Sequence, residues 1–503
     1  MENNQSSWDF PGQQPDKSQK PAFPTERRER IFAVILLVIG CFFCNSVLYA
    51  GFHLGFSLFC SCAIICSVVY LLCYGCKLSL YAGSLLGISL VICASFARSD
   101  DSFVKFVMLC FLIVSTNLAL CLMSGQNRRS PKGISSLLDV PRVIFMLGLG
   151  KLPQSLRGLR EGIKSSGTTG RKSGPILLGL VIAVPLLAIV IPLLISADAA
   201  FDALLKQLPD WDFGELLGSL IFGVLLAAFL YSRGVALRFA PKTDPAPGKT
   251  KGIHPLTVNT VLIAVSAVYL VYLVSQLAYF SGGFSGILPE GYTAAEYARR
   301  GFFEMAWLCA INLGLVALAV GLVAKKETAP PLTRLVCLFI GIVTLFLVVS
   351  ASAKMFLYID GFGLTRLRVL TQVIIFFLGI ATVLVSVWLF VPKLPYMKAV
   401  LIAALIIGAV VAWADVDTVV AAYNVNAYQT GKLPSIDVEY LDELGTGAVP
   451  YIAQLTNDSD PVVAQAATSA LTYGYYHKTD DFREWNYSAV SAEDYIIVFS
   501  GNP

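Results

Sequence analysis

Long apolar runs, each about the length of a bilayer crossing, alternate along this chain with shorter polar connections. Spanning hydrocarbon takes roughly 20 apolar residues in helical form, because there every backbone amide must be bonded internally. Eleven stretches meet that requirement: 31–50, 55–74, 78–97, 103–123, 175–196, 214–232, 257–280, 302–323, 335–357, 369–391 and 399–416. None alternates strictly in the manner of a barrel strand. The pattern predicts an all-α fold, a polytopic transmembrane helical bundle.

Composition agrees. Of 503 residues, 56% are hydrophobic and 14% charged, where a soluble domain carries nearer a quarter charged. The formal net charge of +4 hides a segregation. With the N-terminus inside, segments 1–30, 75–77, 124–174, 233–256, 324–334 and 392–398 face the cytoplasm and hold 26 of the 37 Lys and Arg residues. That bias orients spans and predicts a C-terminus outside. It also accounts for the basic inner surface without nucleic acid, and a multi-pass membrane protein is expected.

The chain then divides into a polar cytoplasmic tail (1–30), a four-helix group (31–123), a basic loop (124–174), a seven-helix group (175–416) and an acidic extracytoplasmic part (417–503). In the basic loop Leu152, Leu156, Leu159 and Ile163 recur at helical spacing beside Arg157, Arg160 and Lys164. An apolar stripe with a basic flank is the pattern of a helix lying on an anionic leaflet, so anionic headgroups are the expected partner there. From 417 to 503 there are twelve acidic and three basic residues. Asp460-Pro461 reads as an N-cap followed by proline at the first helical position, opening a helix to about 475. A second short helix is expected near 449–455 after Gly445-Thr446. These pieces form a small helical domain, a candidate surface for an envelope protein partner.

Ionisable residues at membrane depth are costly and become candidates for function. Glu304 lies just inside the eighth span and Lys354 near the end of the ninth. Arg366 and Arg368 open the tenth, Asp198 follows the fifth, and Arg299 and Arg300 precede the eighth. All fall towards one side, where they could bind an anionic ligand, hold a headgroup or dock the C-terminal part. A plainer reading exists: Thr293 and Glu296 form a capping box, Glu296, Arg300 and Glu304 pair along one helix face, and Lys354 snorkels. Asp100-Asp101 reads as a solvated loop, and Asp415 and Asp417 as a helix exit. The three histidines, His53, His254 and His477, share no ligand spacing, and no catalytic, metal or cofactor motif is found. Twelve cysteines, ten of them between 41 and 121, lie in or at the ends of apolar segments and read as small packing residues.

Several stretches look familiar. Ser196-Ala-Asp-Ala-Ala-Phe-Asp202 follows a span, Tyr297-Ala-Arg-Arg-Gly-Phe-Phe-Glu304 enters one, and Gly363-Leu-Thr-Arg-Leu-Arg-Val369 heads another. The tail holds Tyr423-Asn-Val-Asn426, Thr430-Gly-Lys432, Ile436-Asp437, Tyr440-Leu441 and Ala448-Val-Pro450. In this order, over roughly 175–490, they resemble the bacterial domain-of-unknown-function 4173 family of multi-pass membrane proteins. The resemblance implies a bacterial plasma membrane and transfers no catalytic residue. The leading expectation is a non-enzymatic envelope component with a sensing, regulatory or scaffolding role. The alternatives are a transporter or lipid-handling protein using the outer charges, and a membrane-embedded transferase.

Overall fold

The computed structural model describes residues 23–129, 134–165, 190, 193–194, 213–241, 253–283, 302–323, 330–473 and 481–500. Among them the chain is helical throughout, with no strand. The long helices are α1 (Arg27–Leu48), α2 (Leu54–Cys73), α3 (Leu80–Ser95) and α4 (Ser102–Ser124), then, after a helical segment over 134–149, the amphipathic α5 (Leu152–Ser165). There follow α6 (Phe213–Phe239), α7 (Pro255–Gly283), α8 (Phe302–Val323), α9 (Pro331–Phe362), α10 (Arg366–Phe390) and α11 (Tyr396–Ala414). Five shorter helices complete the chain: α12 (Val416–Gln429), α13 (Val438–Glu443), α14 (Val449–Leu455), α15 (Pro461–Tyr473) and α16 (Tyr487–Ser500).

Among the described residues nine helices are long and apolar enough to cross a membrane. α3, at 16 residues, is shorter than the stretch predicted for it. The stretch 175–196, the capping box at 293–296 and the candidates Asp198, Arg299 and Arg300 lie outside the described residues. Large apolar side chains on these helices stay uncovered, with Val271 71% and Trp307 70% exposed. Surfaces of that kind on successive helices require a lipid solvent.

The chain forms two compact units, Met1–Cys41 with Arg142–Pro241, and Phe42–Pro141 with Lys242–Pro503. In the first, α1 and α6 approach closely at small residues: a Cβ on Gly40 would lie 2.3 Å from the Gly223 carbonyl oxygen. Small residues allow this contact between membrane helices. α5 packs on α6 and on Phe23–Thr25 through Gln154, Ser155, Gly158 and Gly162. Leu156, on its apolar stripe, remains 41% exposed.

In the second unit α7, α8, α9 and α10 share an apolar core that includes Leu262, Val316, Ile340 and Val385. Polar side chains cross-link it: Tyr269 Oη donates to Asn312 Oδ1 at 2.6 Å, Asn312 Nδ2 to Thr344 Oγ1 at 3.0 Å, and Thr333 Oγ1 to Asn259 Oδ1 at 2.7 Å. Hydrogen bonds of this kind hold helices together where burial from water contributes little. α11 packs on α3, α4 and α10, with Trp413 Nε1 donating to the Val91 carbonyl at 3.1 Å. α12 to α16 pack on one another. Asp460 Oδ1 accepts from Val462 N at 2.9 Å and starts α15 as its sequence predicts.

Candidate functional site

Two arginines at the start of α10 pose the first question, because cations are unfavourable beside the positive end of a helix dipole. Thr365 caps the helix by accepting from Arg368 N. Arg368 then turns back, donating to the carbonyls of Phe362 (3.0 Å) and Gly363 at the end of α9, with its guanidinium 4.1 Å from the Tyr358 ring centroid. A cation at a helix C-terminus is favourable, so Arg368 closes the α9–α10 corner. Gly363, at φ +74°, turns that corner. Asn424 of α12 clamps it, accepting from Leu364 N at 2.7 Å and donating to Leu364 O at 2.8 Å.

Arg366 takes the opposite course, into a cluster of carboxylates. Its Nε lies 2.7 Å from Asp417 Oδ1 and 3.4 Å from Asp101 Oδ2, and its backbone N–H donates to Tyr440 Oη at 2.9 Å. Both acidic side chains are nearly sealed, Asp417 at 5% exposed and Asp101 at 2%, while Arg366 is 35% exposed. Asp101 is the N-cap of α4, accepting from Phe103 N and Val104 N, a position that suits an anion. Asp417 lies in the first turn of α12, two residues after Asp415, which adopts φ +54° and redirects the chain between α11 and α12. Asp tolerates that left-handed geometry better than most residues.

Beside this triad Asp100 gathers a second set of partners. It accepts from Asn486 Nδ2 at 2.8 Å and Thr446 Oγ1 at 3.0 Å, and lies 3.6 Å from Lys105 Nζ and 3.5 Å from His53 Nδ1. Lys105 Nζ and Asn486 Nδ2 also approach His53 Nδ1, at 3.2 and 3.3 Å. Asn486 starts α16 by accepting from Ala489 N. Backbone bonds reinforce the seam: Leu54 N to Trp485 O, Gly55 N to Arg483 O, Tyr487 N to Ala97 O and Ser488 N to Arg98 O. The C-terminal helices are therefore stitched to the ends of α2, α3, α4 and α10 through a buried network of opposite charges.

Burial pushes the Asp417 carboxyl up to about 6, with Arg366 pulling it down and Asp101 and Asp415 pushing it up. Burial likewise raises Asp415, against the pull of Thr418 and Arg98. Thr418 donates to Asp415 Oδ2 at 2.8 Å, while Asp415 Oδ1 is buried without a hydrogen-bond partner among the described residues.

Under this network α4, α10 and α11 line an apolar cavity of about 200 Å³, open on one side. Its walls are three stripes at helical spacing: Val104, Met108 and Phe111 on α4, Leu370 and Phe377 on α10, Gly408 and Val411 on α11. Each stripe ends at a member of the network, Asp101, Arg366 and Asp415 respectively.

The candidates from sequence fare unequally. Arg366 is at the centre, and Arg368 closes the adjacent corner. Lys354 on α9 lies within electrostatic reach of Glu304 on α8, away from the triad. Arg157 and Arg160 are exposed on α5, and the side chain of Lys164 is outside the described residues. Sequence reasoning missed Asp101, Lys105, Asp415 and Asp417. The solvated-loop reading of Asp100-Asp101 fails because Asp101 caps a helix under Arg366, and a bare helix exit does not describe the buried Asp415 and Asp417. Lys105, buried within a predicted span, carried the signal that could have found them. Among the described residues no group of three or more His, Cys, Asp or Glu side chains is placed to hold a metal ion.

An all-helical chain with this many uncovered apolar spans is a multi-pass membrane protein. It belongs to the family described as Domain of unknown function (DUF4153), whose profile matches residues 85–455. That match corrects the resemblance to the 4173 family. Its basis was a set of short segments at span ends and in the tail, each only a few residues long. The matched stretch takes in Asp100, Asp101, Lys105, Arg366, Asp415 and Asp417. No curated protein and no solved structure matches the chain.

Proposed function

We propose that this chain is a non-enzymatic sensing or regulatory component of a bacterial plasma membrane. In this reading the N-terminus is inside, and the acidic 417–503 helices sit outside, seated on the span ends. Arg366, held between Asp417 and Asp101, is the observation that carries it. Such a network joins the C-terminal helices to the bundle through charges whose balance an external signal can alter, and buried polar networks of this kind have a defined geometry only when their members are satisfied. Removing 430–503, which leaves Asp417 and Asn424 in place, is expected to abolish complementation of a deletion strain while the spans still insert. Full complementation by the shortened chain would refute a role for those helices. The apolar cavity beneath Arg366 favours a second reading, a lipid-handling protein.

A further inference from the structure

We propose that the cavity under the ionic network is a phospholipid site, with an acyl chain between α4, α10 and α11 and the phosphate on Arg366. Four observations carry the inference. First, the cavity's walls are apolar, and its volume of about 200 Å³ exceeds the roughly 150 Å³ that holds a benzene-sized ligand in a dry core. Second, Phe103 and Ile374 at its margin are 58% and 54% exposed, so it opens on the surface that faces hydrocarbon, where an acyl chain is the available occupant. Third, Arg366 is the first residue of the apolar span Arg366–Phe390 and heads the α10 stripe, one turn from Leu370. Fourth, Arg366 engages its carboxylates through Nε, and its terminal nitrogens make no hydrogen bond to the described residues. A guanidinium more than a third exposed with two uncommitted amino groups presents the fork that binds phosphate oxygens.

Charge selects among headgroups. Asp100, Asp101, Asp415 and Asp417 gather beside Arg366, with Lys105 and Arg98 among them. A zwitterionic lipid presents its phosphate to Arg366 and its ammonium to these carboxylates, whereas an anionic lipid without an ammonium leaves the carboxylates without a partner on the ligand. The occupant is therefore a zwitterionic phospholipid. This inference requires neither the sensory role nor the orientation of the chain.

The test is photolabelling of the full-length protein in nanodiscs, using phosphatidylethanolamine or phosphatidylglycerol that carries a diazirine on one acyl chain, with adducts mapped by peptide mass spectrometry. Adducts are expected on 103–111, 370–377 and 404–411, about tenfold stronger with phosphatidylethanolamine, as one charge-assisted hydrogen bond implies. Val411→Trp, which fills the cavity, and Arg366→Gln should each lower that labelling to the level of lipid-exposed surface. Because either substitution could disturb folding, the wild-type map decides by itself. Adducts spread evenly over exposed positions such as Trp307 and Val349, or equal labelling by the two lipids, would overturn the proposal.

Discussion

Replacing Arg366 by methionine keeps an unbranched apolar stem and removes the guanidinium and its charge, leaving Asp417 buried without its counter-ion. At about pH 7, folding with a neutral Asp417 costs about 4 kcal/mol, because an ordinary carboxyl at 3.8 must take up a proton at roughly 1.4 kcal/mol per unit. With Arg366 present the group titrates near 6, so burial already costs about 3 kcal/mol on the same scale. Protonation therefore limits what the substitution can add through Asp417 to about 1 kcal/mol at neutral pH. Loss of the Asp101 contact and of the packed guanidinium stem brings the expected total to about 2 kcal/mol.

The sign of the pH dependence is fixed by the same values. Asp417 is raised in the folded state, so the fold gains stability as pH falls from about 6 towards 3.8, and the wild type is level in this respect above about 6. The variant takes up its proton across the whole range, and its penalty should grow by about 1.4 kcal/mol per unit above neutral, up to the 3–5 kcal/mol of about a fully broken buried pair. Below about 6 the part of the penalty that runs through Asp417 vanishes, leaving the roughly 1 kcal/mol from the lost Asp101 contact and packing. Thermal unfolding in detergent, followed by a thiol-reactive dye reporting exposure of the buried Cys93, Cys121, Cys309 and Cys337, measures the difference at several pH values. A penalty that does not change with pH would refute the reasoning, because Asp417 would then not be the group that responds.

Three further experiments test neighbouring regions. Gly363→Ala puts a Cβ at φ +74° and 2.6 Å from Asn424 Oδ1, and should lower stability by about 1–2 kcal/mol or more in the same dye assay. Asn486→Ala removes a donor to Asp100 and the cap of α16; limited proteolysis should then cut the C-terminal helices several times faster while the spans stay intact. Tryptophan at Leu156 on α5 should be quenched by brominated anionic lipid, and Arg157→Gln with Arg160→Gln should weaken that quenching at low salt. Equal quenching in neutral bilayers would place α5 off the anionic surface.

The spans were legible because a period of apolar residues about 20 long has few other physical meanings. Local punctuation was legible for the same kind of reason, as with Asp460-Pro461 opening α15 and Gly445 preceding 449–455. The ionic network was not, because its members meet only through folding: Arg366 and Asp417 are 51 positions apart, and Asp100 and Asn486 are 386 apart. A carboxylate at a span end looks the same in sequence whether it faces water or a guanidinium. Lys105 was the exception, a cation three residues inside an apolar helix, and following it would have led to Asp100 and Asp101. The family resemblance failed because it rested on short segments at span ends and in the tail, each too short to separate one multi-pass family from another.

Cysteine labelling in intact cells tests the central claim, that the charge network and the helices it holds stand on the external face. Val462→Cys places a thiol at a position 75% exposed on α15, and Arg157→Cys places one on exposed α5. A membrane-impermeant maleimide should label Val462→Cys on intact cells and Arg157→Cys only after permeabilisation. Labelling of Arg157→Cys on intact cells, with Val462→Cys protected, would contradict the account.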